Sequence, residues 1–213
     1  MRYADRRDAG RRLAEALAGL AGPTTVVLAL PRGGVILGAE VARFLGAPLD
    51  LVLPRKVGHP SFPEYGIAAV AEAGEVVENR DEVARVDPGW FARAVAEQRA
   101  EAARRRRSYL GDRPPADLAG MTAILVDDGI ATGLTMRAAL CDVRARGAAR
   151  AVVAVPVAPA DAVARMRREA DDVVTLQAPD DFAGAVGAYY RDFRQVTDDE
   201  VVRALAEAAG VAP

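Results

Sequence analysis

Two neighbouring carboxylates, Asp127 and Asp128, follow the apolar run Ile124-Leu125-Val126, and after Gly129-Ile130-Ala131 comes the small-residue, hydroxyl-bearing segment Thr132-Gly133-Leu134-Thr135. Adjacent acids would repel a phosphate but accept hydrogen bonds from a neutral vicinal diol. The segment behind them supplies backbone N–H groups at the start of a helix plus two hydroxyls, a suitable cradle for a phosphate dianion. Together they suit a sugar with a diol at one end and a phosphate at the other, such as ribose 5-phosphate. An ordinary Asp-capped strand-to-helix turn would account for one acid and one hydroxyl, not for the ordered set.

Two further loops carry the positive charge that such a ligand needs. Leu30-Pro31-Arg32-Gly33-Gly34 offers a guanidinium beside two glycines that permit close backbone approach. Arg55-Lys56 follows another apolar run, and among the 28 basic residues Lys56 alone is lysine. In an Ala-, Gly- and Arg-rich chain, a surviving lysine marks a place for a compact, mobile ammonium. His59, the sole histidine, lies in the same short stretch.

The elements that must position these residues alternate. A helix at 5–20 ends at Gly22-Pro23, a strand at 25–30 leads into the Arg32 loop, and a helix through Val35–Leu45 closes at Gly46. Leu49–Leu53 is a second buried strand, and the Pro- and Gly-rich stretch 54–66 predicts a long functional loop. A hairpin spans 67–78, a charged helix runs from Asp87-Pro88 to Leu110, and the 124–126 strand and its helix follow. Strands at 151–155 and 172–176 flank a helix at 161–169. Thr197 to Glu200 caps a last helix over 201–209. The pattern predicts an α/β fold, a doubly wound parallel sheet. Its strands' C-terminal edge is where ligands of such sheets bind.

Composition narrows the classes. The chain has 213 residues, 51% of them hydrophobic, which is ample for a buried core. A formal charge of -2 and a pI near 5.6 give no global attraction to nucleic acid or anionic membrane. One cysteine, Cys141, excludes an internal disulfide, and its place on the apolar side of a helix predicts core packing. No stretch reads as a membrane span, and Met1 to Arg7 reads as a charged helix start rather than a signal peptide, so a cytoplasmic protein is expected. The basic run Arg104 to Arg107 reads as a solvated last helical turn with a Glu101–Arg105 pair; nucleic acid is not expected as a partner.

The segment 124–135 resembles the binding motif for 5-phosphoribosyl pyrophosphate (PRPP) of type I phosphoribosyltransferases: three apolar residues, two acids, two variable residues, then a Thr/Ser-Gly loop closing on Thr or Ser. The resemblance covers most of the chain and extends to stand-alone bacterial members of undefined substrate, through Leu-Pro-Arg-Gly-Gly, Arg-Lys and the Val-Gly-Ala-Tyr-Tyr stretch near the C-terminus. It implies PRPP contacts at Asp127, Asp128, Ala131, Thr132, Gly133, Leu134 and Thr135. Pyrophosphate contacts would fall on Arg32, Gly33, Gly34 and Lys56. Arg55 and Lys56 would act on the leaving group, and 54–66 would be the mobile loop that closes over the reaction. Mg²⁺ is the implied cofactor, held mainly by PRPP and water rather than by protein ligands.

The implied architecture is a core over 1–177, with the mobile loop 54–66 and hairpin 67–78, and a small C-terminal hood with the last helix over 178–213. Phe182 and Tyr189 of the hood would stack on the acceptor base. Where 6-oxopurine members carry a general-base Asp this chain has Ala131, and where their hood carries a base-contacting Asp it has Tyr189. Glu64 or Glu72 is left as acid or base. Gly129 replaces an aliphatic residue, which predicts a looser turn after the acids. The implied partners are PRPP and a small nitrogenous acceptor, with a homodimer and no membrane. A non-enzymatic PRPP or nucleotide sensor, and an enzyme using water as acceptor, stay open at this point.

Overall fold

The computed structural model describes residues 2–210, so Met1 and the last three residues of the expected hood segment lie outside the described residues. The sheet at its centre has five parallel strands, which lie side by side in the order β2 (Leu49–Leu51), β1 (Thr25–Ala29), β6 (Thr122–Val126), β7 (Arg150–Val157) and β8 (Asp172–Gln177). The near-continuous apolar strands follow from burial on both faces. Val27, Ala29, Ile124, Val126, Val152 and Ala154 pack against α1 (Arg6–Ala16), α2 (Gly33–Leu45) and α7 (Asp198–Ala208). Their neighbours Val26, Leu28, Ala123, Leu125, Ala151 and Val153 pack against α5 (Leu134–Ala145) and α6 (Ala160–Met166) on the other face.

Local chemistry sets the helix limits. Asp5 caps α1 by accepting the Asp8 N–H, and a 3-10 turn at Ala18–Leu20 replaces the end of the predicted helix. Gly46, in the left-handed region at φ 64°, closes α2. Thr197 and Glu200 form a reciprocal capping box on α7. Asp87 accepts the Trp90 N–H at 2.6 Å to start α4 (Pro88–Leu110).

The stretch 54–66 is not a loop. Arg55–His59 (β3) and Phe62–Val70 (β4) form an antiparallel arm, and Val77–Glu78 (β5) extends it into a three-stranded sheet, with a short helix α3 at Arg80–Val83 behind it. Of β3 only Val57 is buried, and the register shifts at Gly58, so the arm lacks the alternation that marks a strand in sequence. Gly58 lies against the Pro63 carbonyl, where any side chain would collide. No helix among the described residues is long and apolar enough to cross a membrane.

Candidate active site

Three loops leave the same edge of the parallel sheet, after β1, β2 and β6. Lys56, Asp127, Ala131, Thr132, Gly133 and Thr135 line one cavity of about 180 Å³, with Gly129, Ile130, Met136 and Val186 completing it. Gly133 adopts φ 83° at the N-cap of α5, so the chain can turn sharply there and present the first N–H groups of the helix to the cavity. Leu134 packs sideways against the arm, near the site that a side chain on Gly66 would take.

The β1 loop presses on the acids from the side. A side chain on Gly34 would come within 2.6 Å of the Val126 carbonyl and 2.9 Å of Asp127 Cα, and one on Gly33 would overlap the Asp128 carboxylate. Both glycines are therefore required by close approach. Arg32, at the N-cap of α2, sits 3.7 Å from Asp198 of α7 and is partly exposed. Arg55 and Lys56 part company as consecutive residues of a strand. Arg55 donates to Gln98 of α4 at 3.1 Å, away from the cavity that Lys56 lines.

The acids are electrostatically unequal. Burial raises the Asp127 carboxyl well above the ordinary carboxylate range, and the neighbouring Asp128 charge raises it further against the pull of the Asp128 N–H. Burial also raises Asp128, but Arg6 opposes the shift through a 2.8 Å contact from Nε to Oδ2. Tyr190 donates its hydroxyl to the Asp128 carbonyl at 2.6 Å.

The segment expected to form the hood carries both aromatic candidates. Phe182 and Tyr189 stack on each other, ring centroids 5.3 Å apart, and the Tyr189 oxygen accepts the Ala183 N–H at 3.1 Å. Val186 is the hood residue in the cavity lining. It also corrects the reading of Gly129: a Cβ there would lie 2.5 Å from Val186 Cγ1 and 3.1 Å from Val157 Cγ1, so the turn is crowded rather than loose. Glu64 is exposed on the arm beyond Gly66. Glu72 sits below the arm, 3.6 Å from Arg106, its carboxyl raised by burial and drawn back by that guanidinium.

The family model described as phosphoribosyl transferase domain matches residues 4–194. The chain belongs to the phosphoribosyltransferase family. It is 46% identical over 205 residues to each of two Mycobacterium tuberculosis proteins, "Putative phosphoribosyl transferase MT0597" of strain CDC 1551 / Oshkosh and "Putative phosphoribosyl transferase Rv0571c" of strain ATCC 25618 / H37Rv. Those alignments cover 95% of this chain and 46% of each relative, so the chain spans about half the length of the curated relatives it matches. The crystal structure of TT1426 from Thermus thermophilus is 50% identical with a TM-score of 0.83, covering 97% of this chain and 99% of that one. A hypothetical protein from Neisseria gonorrhoeae with bound ppGpp shares the fold at 16% identity and a TM-score of 0.50, over 98% of both chains.

In this member of the family, sequence reasoning gave no site role to Arg6, Tyr190 or Val186. Arg6 is one arginine among several in an amphipathic helix, and nothing local marks a partner 122 positions away. The Arg104–Arg107 run is divided by the fold. Arg104 and Arg105 both pair with Glu101, at 2.7 and 3.0 Å, while Arg106 is buried against Asp50. A second cleft of about 270 Å³, between α1, α2, the segment 192–196 and α7, is lined in part by Arg6, the partner of Asp128, but has neither the acid pair nor the hydroxyl loop.

Proposed function

We propose that the chain transfers the 5-phosphoribosyl group of PRPP to a nitrogenous acceptor and releases pyrophosphate. The observation that carries this reading is the convergence of Lys56, Asp127 and the Thr132–Thr135 turn on a single cavity. The 5-phosphate lies on the N–H groups at the start of α5 with the Thr132 and Thr135 hydroxyls. Asp127 and Asp128 accept hydrogen bonds from the ribose hydroxyls, and the negative charge held on Asp128 favours the positive charge that develops on the ring. Lys56 and Arg32, with Gly33 and Gly34 letting the backbone approach, face the departing pyrophosphate. The anomeric C–O bond breaks with its electron pair going to pyrophosphate, and the acceptor nitrogen forms the new bond and sheds its proton. Arg55 braces the base of the arm through Gln98, and Glu64, exposed on the arm, is the candidate acid or base that takes the proton.

Mg²⁺ fits this donor set in a limited way. Among the described residues no group of three or more His, Cys, Asp or Glu side chains is placed to hold a metal. PRPP oxygens and water would supply most of the shell, with Asp127 and Asp128 the protein carboxylates at hand. When bound, the ion would neutralise charge on the leaving pyrophosphate.

Ala131 and Tyr189 supply no carboxylate to the acceptor, which favours adenine- or pyrimidine-type bases over hypoxanthine and guanine. The same feature supports a second reading, in which water is the acceptor. Pyrophosphate release from PRPP and Mg²⁺ should be measured with adenine, uracil, hypoxanthine, guanine and no base. Base-dependent release that Lys56→Ala and Asp127→Asn abolish is expected. Base-independent release selects the hydrolytic reading, and absence of PRPP and ribose 5-phosphate binding at millimolar concentration sinks both.

A further inference from the structure

The acid pair is held from outside its own motif. Arg6, in the first turn of α1, reaches Asp128 Oδ2 with its Nε at 2.8 Å, and the two side chains are only 11% and 16% exposed. The guanidinium is fixed on its other sides. Its carbon lies 3.9 Å from the centroid of the Phe193 ring, and Nη1 donates to the Arg194 carbonyl at 2.8 Å. Phe193 packs on Tyr190 at 4.9 Å between centroids, and Tyr190 holds the Asp128 carbonyl at 2.6 Å. Residue 128 is thus gripped at side chain and backbone by one cluster, built from α1 and the hood exit. Gly33 leaves the space for it, since a Cβ there would stand 2.9 Å from Arg6 Nε.

Asp127 has a different partner. Its Oδ1 accepts the Asp128 N–H at 2.8 Å, a neutral donor, whereas Asp128 has the full positive charge of a guanidinium. Two adjacent carboxylates in a partly desolvated site cannot both carry charge cheaply, and a guanidinium on one of them decides which stays ionised. The contact is a single Nε–Oδ2 hydrogen bond rather than a two-pronged fork, so Arg6 does not engage Asp128 Oδ1. A hydroxyl donating to an ionised oxygen makes a stronger bond than one donating to a neutral group.

We propose that Arg6 is a positioning residue of the phosphoribosyl site: it keeps Asp128 ionised and aimed so that one oxygen receives a ribose hydroxyl, and it makes that setting depend on the hood. This rests on the assignment of the cavity to a phosphoribosyl ligand. Arg6 is far from the hydroxyl loop in its contacts, so it acts on the diol end of the ligand and not on the phosphate end.

Calorimetric titration of ribose 5-phosphate and of inorganic phosphate into the wild-type chain, Arg6→Lys, Arg6→Ala, Asp128→Asn and the Arg6→Ala/Asp128→Asn double variant tests it. Arg6→Ala should weaken ribose 5-phosphate about tenfold while phosphate affinity stays within about twofold, and Arg6→Lys should recover part of the loss. In the Asp128→Asn variant there is no charge to hold, so adding Arg6→Ala should then change ribose 5-phosphate affinity by less than about twofold. Equal weakening of both ligands, or the same Arg6→Ala loss in the Asp128→Asn background, overturns the positioning role and leaves the site assignment standing. If Arg6→Ala does not fold, as judged by its melt, Arg6→Lys decides: a selective loss of ribose 5-phosphate supports the role, and wild-type binding of both ligands removes it. A wild-type chain that binds ribose 5-phosphate no better than phosphate overturns the site assignment itself.

Discussion

Gly129→Ala adds one methyl group at the point where the acid turn meets the hood, and its cost can be worked from contacts alone. The added Cβ would stand 2.5 and 2.8 Å from the two methyl carbons of Val186 and 3.1 Å from Val157 Cγ1. Gly129 is not among the glycines with positive φ, so the penalty comes from crowding rather than from the backbone. Comfortable carbon–carbon separation is about 3.5–4.0 Å, so Val186 must retreat by roughly 1 Å. Val157 belongs to the buried strand β7 and is fixed by its neighbours, whereas Val186 lies in a 3-10 turn with no buried residues. The hood therefore moves. Overpacking of this kind costs about 1–3 kcal/mol, and a domain of this size loses about 2–4 °C per kcal/mol. The melting temperature should fall by roughly 2–12 °C, and Val186→Ala should relieve the contact, giving a favourable coupling of about 0.5–3 kcal/mol in a double-variant cycle. Thermal melts of the four proteins measure it. An unchanged melting temperature for Gly129→Ala, or zero coupling with Val186→Ala, refutes the crowded turn.

Two other outcomes follow from the buried charges. Asp127→Asn should abolish ribose 5-phosphate binding yet stabilise the protein at neutral pH. The raised Asp127 pKa means that, above the ordinary carboxylate value of about 4, the folded chain retains a proton the unfolded chain has released, so wild-type stability falls as pH rises through that window. The advantage of the variant in urea denaturation should vanish near pH 4, and a destabilised variant at pH 7 contradicts the argument. Arg106→Met should cost up to about 3–5 kcal/mol in the same assay, because it leaves the buried Asp50 with only the longer Arg113 contact at 3.3 Å and the Ala116 and Leu51 N–H groups. Arg106 Nη2 lies 2.7 Å from Asp50, and the side chains are 7% and 2% exposed. Burial alone would raise the Asp50 pKa, but the Ala116 N–H, Arg106 and the Leu51 N–H lower it on balance. The wild-type pair therefore loses its stabilising effect as pH falls through the folded value of Asp50, an acid dependence that Asp50→Asn/Arg106→Met should lack.

The parts of the site that were legible are those carried by short, contiguous patterns. Asp127, Asp128 and the Thr132–Thr135 turn lie within one strand-to-helix junction, where each residue's role depends on neighbours a few positions away. The Arg32-Gly33-Gly34 turn and Lys56 could be grouped with them because parallel strands deliver their following loops to one edge. The hairpin at 67–78 was legible from its apolar runs, but 55–66 was unreadable as strands because Arg55, Lys56, Gly58, His59, Pro60 and Pro63 disguise the alternation, and pairing between β3 and β4 supplies what local propensity lacks. Arg104 to Arg107 formed one basic run in sequence, yet helical rotation sent Arg106 inward to Asp50 and Arg104 outward to Glu101.

What the amino-acid order determined by itself was the alternation of buried strands and amphipathic helices and the composition of the acid and hydroxyl motif. Hydrophobic period and loop chemistry are local properties, written in adjacent residues. Only the tertiary structure decided that Arg6 makes its direct contact with Asp128, that Val186 takes the space above Gly129, and that Arg55 turns away from the cavity that Lys56 faces. Those choices are made by packing between segments far apart in the chain, where the energy of a contact depends on which distant side chain arrives and at what distance.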